Sequence, residues 1–110
     1  MKTPEAAHLL SALAHEARLS VFRLLVGQPD RPAGDLARAL DMPPSTLSFH
    51  LKDLRTAGLV ESRREGRQIL YTANFQALTA LLSFLADDCC AGKPELCLPD
   101  RWAATTGKTP

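Results

Sequence analysis

Along most of this chain the apolar positions recur every three to four residues, the spacing of helices that bury one side. Ala6, Leu9, Leu10 and Leu13 mark a first helix over 5–13. Leu19, Phe22, Leu25 and Val26 mark a second, over 16–26, that Gly27 and Pro29 stop. The segment PDRPAG, 29–34, reads as a loop, and Leu36, Ala37 and Leu40 define a short helix over 34–40. After the turn Asp41-Met42-Pro43, Pro44 suits a first helical position, and the next helix runs to Ala57, with Gly58 just past its end. The period then changes. Leu59 to Arg63 reads as a strand, Glu65-Gly66 as a tight turn, and Arg67 to Ala73 as the return strand, where Ile69 and Tyr71 alternate with polar neighbours. Asn74 can cap a last helix from Phe75 to about Asp88, with apolar positions Phe75, Leu78, Leu81, Leu82 and Leu85. Beyond Gly92 and Pro94 no periodic pattern remains. The pattern predicts a mainly α domain over 1–88 carrying one β-hairpin, in the order α-α-α-α-β-β-α, followed by a segment at 89–110.

The helix over 44–57 has two different faces. On a wheel of about 100° per residue, Leu51 and Leu54 fall within about 40° of Leu47, and the three form a buried stripe. Ser45, Ser48, Phe49 and Lys52 fall about 100–200° away, with Thr46 on the flank. Hydroxyls can bond base edges or phosphates, an aromatic ring can touch thymine methyls, and a lysine can meet a phosphate. A solvated polar face is the plain alternative. An exposed ring favours a binding surface, because apolar surface left open needs a partner. His50 lies about 60° from the buried stripe, better placed to brace the helix than to read bases. Arg63, Arg64 and Arg67 surround the hairpin tip and suit phosphate or minor-groove contact.

Composition adds limits. With 110 residues the chain is one small domain, for which a core shared between two copies would help. A formal net charge of +1 does not announce a nucleic-acid binder, but charge is unevenly spread. Residues 38–67 carry six Lys/Arg against four acids, and residues 87–95 carry three acids against one lysine. No apolar run approaches the roughly 20 residues needed to span a bilayer. The N-terminal residues, with Glu5 and His8, lack the apolar core of a secretory leader, so a cytosolic protein is expected.

The chain has three cysteines, all in CCAGKPELC at 89–97. An odd count in a cytosolic protein argues against a disulfide framework. Arsenite and antimonite are three-coordinate and thiophilic, so Cys89, Cys90 and Cys97 would fill their shell. Zinc would ask for a fourth ligand, and soft thiolate sites also suit copper(I), mercury, cadmium or lead. Trivalent organoarsenicals need only two thiols. Thiol oxidation, a metal carrier and cysteines serving as small buried hydrophobes stay open as other readings. No catalytic constellation is present, so an enzyme is not expected.

Three stretches carry a resemblance to a family: ALAHEARLSVFRLL at 12–25, STLSFHLKDLRTAGLV at 45–60 and the R-x-G-R hairpin at 64–67. Over roughly residues 5–88 the chain resembles the ArsR-type (ArsR/SmtB) winged helix-turn-helix metalloregulators. The resemblance implies a homodimeric repressor that binds operator DNA and leaves it on binding an inducer. It implies pairing through the first and last helices, where Leu9, Leu10, Leu13, Leu78, Leu81, Leu82 and Leu85 are the matching apolar residues. Family metal sites elsewhere are missing: 33–37 holds no C-x-C pair, and Asn74-Phe75-Gln76 stands where a D-x-H pair would be needed. The cysteines after the last helix resemble the arrangement of the family's arsenic-responsive members, and imply As(III), with Sb(III) and organoarsenicals as related inducers.

Overall fold

The computed structural model describes residues 1–87, a chain of five helices and three short strands. Helix α1 spans Thr3–Leu13, α2 Glu16–Gly27, strand β1 Arg31–Pro32, α3 Ala33–Leu40, α4 Pro44–Ala57, β2 Val60–Glu65, β3 Gln68–Ala73 and α5 Phe75–Asp87. All five expected helices are present. Helix α1 starts two residues early, with the backbone N–H of Lys2 donating to Glu5 Oε1 at 2.7 Å.

Both helices of the helix-turn-helix end in the same way. At the end of α4, Leu59 N–H donates to Leu54 O and Gly58 N–H to Arg55 O, both at 3.0 Å. That is a Schellman closure, and it sets Gly58 at φ +86° while Leu59 closes over Leu54, both fully buried. At the end of α3, Met42 N–H donates to Ala37 O and Asp41 N–H to Arg38 O, with Asp41 itself left-handed at φ +51°. Asp tolerates that region better than most residues with a Cβ.

The hairpin pairs Val60 with Ala73 through Glu65 with Gln68, which leaves Gly66-Arg67 as its two-residue loop. Gly66 has φ +65° and Arg67 does not share the positive φ, the pattern of a type II′ turn with glycine first. The turn therefore lies one residue later than the sequence reading, and β2 runs on to Glu65. A second difference is β1. Arg31 and Pro32, read as loop, pair antiparallel with Tyr71 and Leu70, giving a sheet in the order β1-β3-β2.

The core is one cluster. Val21, Leu25, Leu36, Leu47, Leu51, Leu54 and Leu59 are its fully buried large side chains, joined by Phe22 from α2, Ala6 and Leu9 from α1 and Leu81 from α5. Removing one such leucine side chain to alanine costs about 2–5 kcal/mol, a large share of a small domain's stability. Two expectations fail here. Leu19 is 44% exposed, and Val21 takes the inward place instead. On β3 it is Leu70 that faces the core, while Ile69 stands open and Tyr71 is half-buried. Phe75, one of the apolar positions of α5, is exposed.

Candidate nucleic-acid interface

The buried stripe of α4 is as the wheel placed it: Leu47, Leu51 and Leu54 have essentially no surface left. This holds the other face outward. Ser45, Thr46, Ser48, Phe49 and Lys52 are all exposed, and Phe49 keeps 60% of its surface open. A ring that open among hydroxyls and a cation gains little from the protein's own core. Helix α3 packs against α4, which also rests on α1, α2 and β2.

Arg63, Arg64 and Arg67 are exposed on the hairpin, as expected. They are not equivalent. Arg63 pairs with Asp30 at 3.5 Å and with Glu65 at 3.8 Å. Among the described residues Lys52, Arg64 and Arg67 form no ion pair, so their charge is available to a polyanion. Exposed pairs like those of Arg63 contribute little and exchange readily for a phosphate. Pairing of β1 with the middle of β3 ties this hairpin to the segment that leads into α3.

The sequence reading missed part of this face. An open groove of about 700 Å³ lies between the second half of α4 and the start of β2, lined by Lys52, Arg55, Thr56, Val60, Glu61 and Ser62. Thr56 falls about 180° from Leu47 on the same wheel, a signal that was available. The place of Ser62 beside it depends on how β2 leaves the helix, which no local pattern reveals.

The expected brace is also present. His50 is buried, 6% exposed, and its Nδ1 accepts from Arg18 Nε at 3.4 Å. Arg18 reaches on to Asp53, with Nη2 to Oδ2 at 2.5 Å. Asn74 makes a second connection. Its Oδ1 accepts from Ala77 N–H at 3.2 Å, capping α5 as expected, and its Nδ2 donates to Gly58 O at 2.9 Å, the end of α4.

The apolar residues read as a pairing surface divide. Leu9 and Leu81 lie within the protomer's own core and have little surface to offer a partner. Leu13, Leu78 and Leu82 are half-buried, the first two packed against that core, whereas Leu10 and Leu85 stay 42% and 52% exposed. Phe75 on α5 and Met1 ahead of α1 are open too. Cys89, Cys90 and Cys97 lie outside the described residues. Among the described residues no group of three His, Cys, Asp or Glu side chains is placed to hold a metal ion, and no helix is long and apolar enough to cross a membrane.

The profile of a helix-turn-helix domain family matches residues 13–63. The HTH-type transcriptional regulator YgaV of Escherichia coli K12 is 36% identical over 78% of this chain and 87% of its own. An ArsR-like transcriptional regulator from Rhodococcus sp. RHA1 superposes with a TM-score of 0.73 at 30% identity, covering 96% of this chain and 92% of that one. This chain belongs to the ArsR/SmtB family of winged helix-turn-helix transcriptional regulators. As an ArsR/SmtB regulator it is a DNA-binding-fold protein and not an enzyme. Its α4 is the recognition helix of that architecture and its β2-β3 hairpin the wing. The homodimeric winged helix-turn-helix domain of Mb0332 from Mycobacterium bovis is similar to it as well, at 35% identity and a TM-score of 0.63, covering 77% of this chain and 81% of that one.

Proposed function

We propose that this ArsR/SmtB regulator is an arsenic-responsive repressor that binds operator DNA as a homodimer and releases it when As(III) is held by Cys89, Cys90 and Cys97. The observation that carries DNA binding is the open face of α4, where Phe49 stands exposed between Ser45, Ser48 and Lys52. Two copies related by a two-fold axis would present two such helices to half-sites about one helical turn apart. Exposed Leu10 and Leu85 on adjacent helices support pairing through α1 and α5.

The inducer reading rests on donor chemistry. Three thiols within nine residues satisfy a trigonal, thiophilic ion without a fourth ligand, and Sb(III) or a trivalent organoarsenical with two free positions would compete for the same set. The acids Asp87, Asp88 and Glu95 do not favour a low thiol pKa, which weighs against a peroxide sensor. Asn74 supports a route to the reader: a change that shifts α5 pulls on the end of α4 through the bond to Gly58 O. Couplings between such sites are typically about 1–3 kcal/mol.

The test is fluorescence anisotropy of the reduced protein on its own upstream DNA during an arsenite titration. Release near stoichiometric arsenite, absent in Cys89→Ser, is the expected result. A Cys89→Ser protein that still releases DNA on arsenite rejects the cysteine assignment. Tight binding that arsenite leaves untouched, but peroxide abolishes, replaces the metalloid with thiol oxidation.

A further inference from the structure

His50 is the buried polar residue of the described core, and it sits on the recognition helix beside Phe49. Its surroundings are specific. Arg18 on α2 donates to His50 Nδ1 and, through a second nitrogen, to Asp53 one turn further along α4. The ring of His15 lies 4.7 Å from that of His50 at 54°, and His15 Nδ1 accepts from Ala17 N–H as the cap of α2. The ring of Phe49 meets His50 edge-on at 5.9 Å. One guanidinium thus keys the start of α2 to two successive turns of the helix that carries the reading face.

This arrangement has room for one protonation state. An imidazole that accepts at Nδ1 from a permanent cation must be neutral, carrying its proton on Nε2. A second proton would point an N–H at the Arg18 N–H beside a buried ring. Among the described residues, the titratable and charged groups facing His50 are His15 at the start of α2, Arg18 on α2 and Asp53 on α4. Burial first, then His15 and Arg18, push its pKa below the ordinary histidine value, and Asp53 opposes them with the smallest effect. The Asp53 carboxylate already serves Arg18.

We propose that the Arg18–His50–Asp53 lock, with His15 against it, positions the recognition helix for DNA and opens on acidification, so that DNA binding weakens as pH falls. The proposal rests on the reading of α4 as the DNA-contacting helix. The sign follows from linkage. The locked form takes up fewer protons than an opened form, so the lock is complete above the ordinary histidine pKa of about 6.5 and is lost progressively below it. The direction is diagnostic, because general acidification makes a protein more positive and tightens its hold on phosphates.

The experiment follows the anisotropy of a labelled duplex of the protein's own upstream DNA at constant ionic strength, from pH 7.5 to 5.5. The wild-type Kd is expected to rise about three- to tenfold, as one buried titration allows. In His50→Asn, where a side-chain oxygen replaces Nδ1 as acceptor and the residue at 50 no longer titrates, the ratio of the two Kd values falls to one or below, whatever its affinity at neutral pH. NMR of the wild type supplies a second measurement without DNA or variants. The imidazole of His50 should titrate below its ordinary value, with α4 amides moving in step. A wild-type Kd that holds or tightens on acidification, given tight binding at pH 7.5, overturns the proposal. So does a His50→Asn protein that keeps the full acid loss. A duplex bound at no pH removes the DNA reading instead, and NMR then decides: a His50 titrating at its ordinary value with α4 unmoved ends the lock.

Discussion

Helices α4 and α5 each leave a phenylalanine in the open, and they do so in opposite surroundings. Phe49 on α4 stands among Ser45, Ser48 and Lys52. Phe75 on α5 belongs to a helix with no charged residue before Asp87, where Leu78, Leu82 and Phe84 are only half covered and Leu85 is bare. An apolar group set in polar company fits a hydrated, charged polymer whose bases offer isolated methyls. Apolar groups set beside one another fit a second protein surface, since a contiguous patch of that kind is seldom left to water. Exposure alone would have ranked the two rings together, and their neighbours separate them.

The contrast can be broken from either side. The largest effect is expected for Leu85→Glu, which puts a charge into the α5 surface. Sedimentation should show a monomer, and DNA affinity should fall by about a hundredfold or more as the second half-site contact is lost. A dimer that survives this change moves the pairing surface elsewhere. Next comes Phe49→Ala. It should cost about 1–2 kcal/mol of DNA affinity, yet alter folding stability by no more than about 0.5 kcal/mol because most of the ring is open and its contact with His50 is edge-on. Equal losses in both measurements would return Phe49 to the core. Smallest is Arg67→Ala, a wing cation without an ion pair among the described residues. The slope of log Kd against log salt should fall by about one, at unchanged arsenite response.

How much of this was legible depends on distance along the chain. The two faces of α4 were readable because a 3.6-residue period repeats about three times between Leu47 and Gly58. The caps at Asn74 and Gly58 were readable because they act within a few residues. Strand β1 was not, since two residues carry no period and its partners Leu70 and Tyr71 lie far along the chain. Leu19 was misplaced because α2 holds more apolar residues than one face can bury, and the buried face centres on Val21, Phe22 and Leu25, about 110° round the helix from Leu19. For His50 the wheel foresaw a bracing role. It did not foresee Arg18, which reaches its two partners from 32 and 35 residues away. Of the metalloid site, only the spacing of the donors is readable.

Strand β1 has one more effect. A small antiparallel sheet normally presents two rows of unpaired backbone groups on which another chain can grow. Here one border is only two residues long and ends in Pro32, which has no N–H to give. The other is β2, whose exposed charged residues Glu61, Arg63, Arg64 and Glu65 disfavour edge-to-edge addition. The same arginines that equip the wing for a polyanion therefore also protect it from fibril-like stacking. A wing neutralised to weaken its grip on DNA would become a less soluble protein as well.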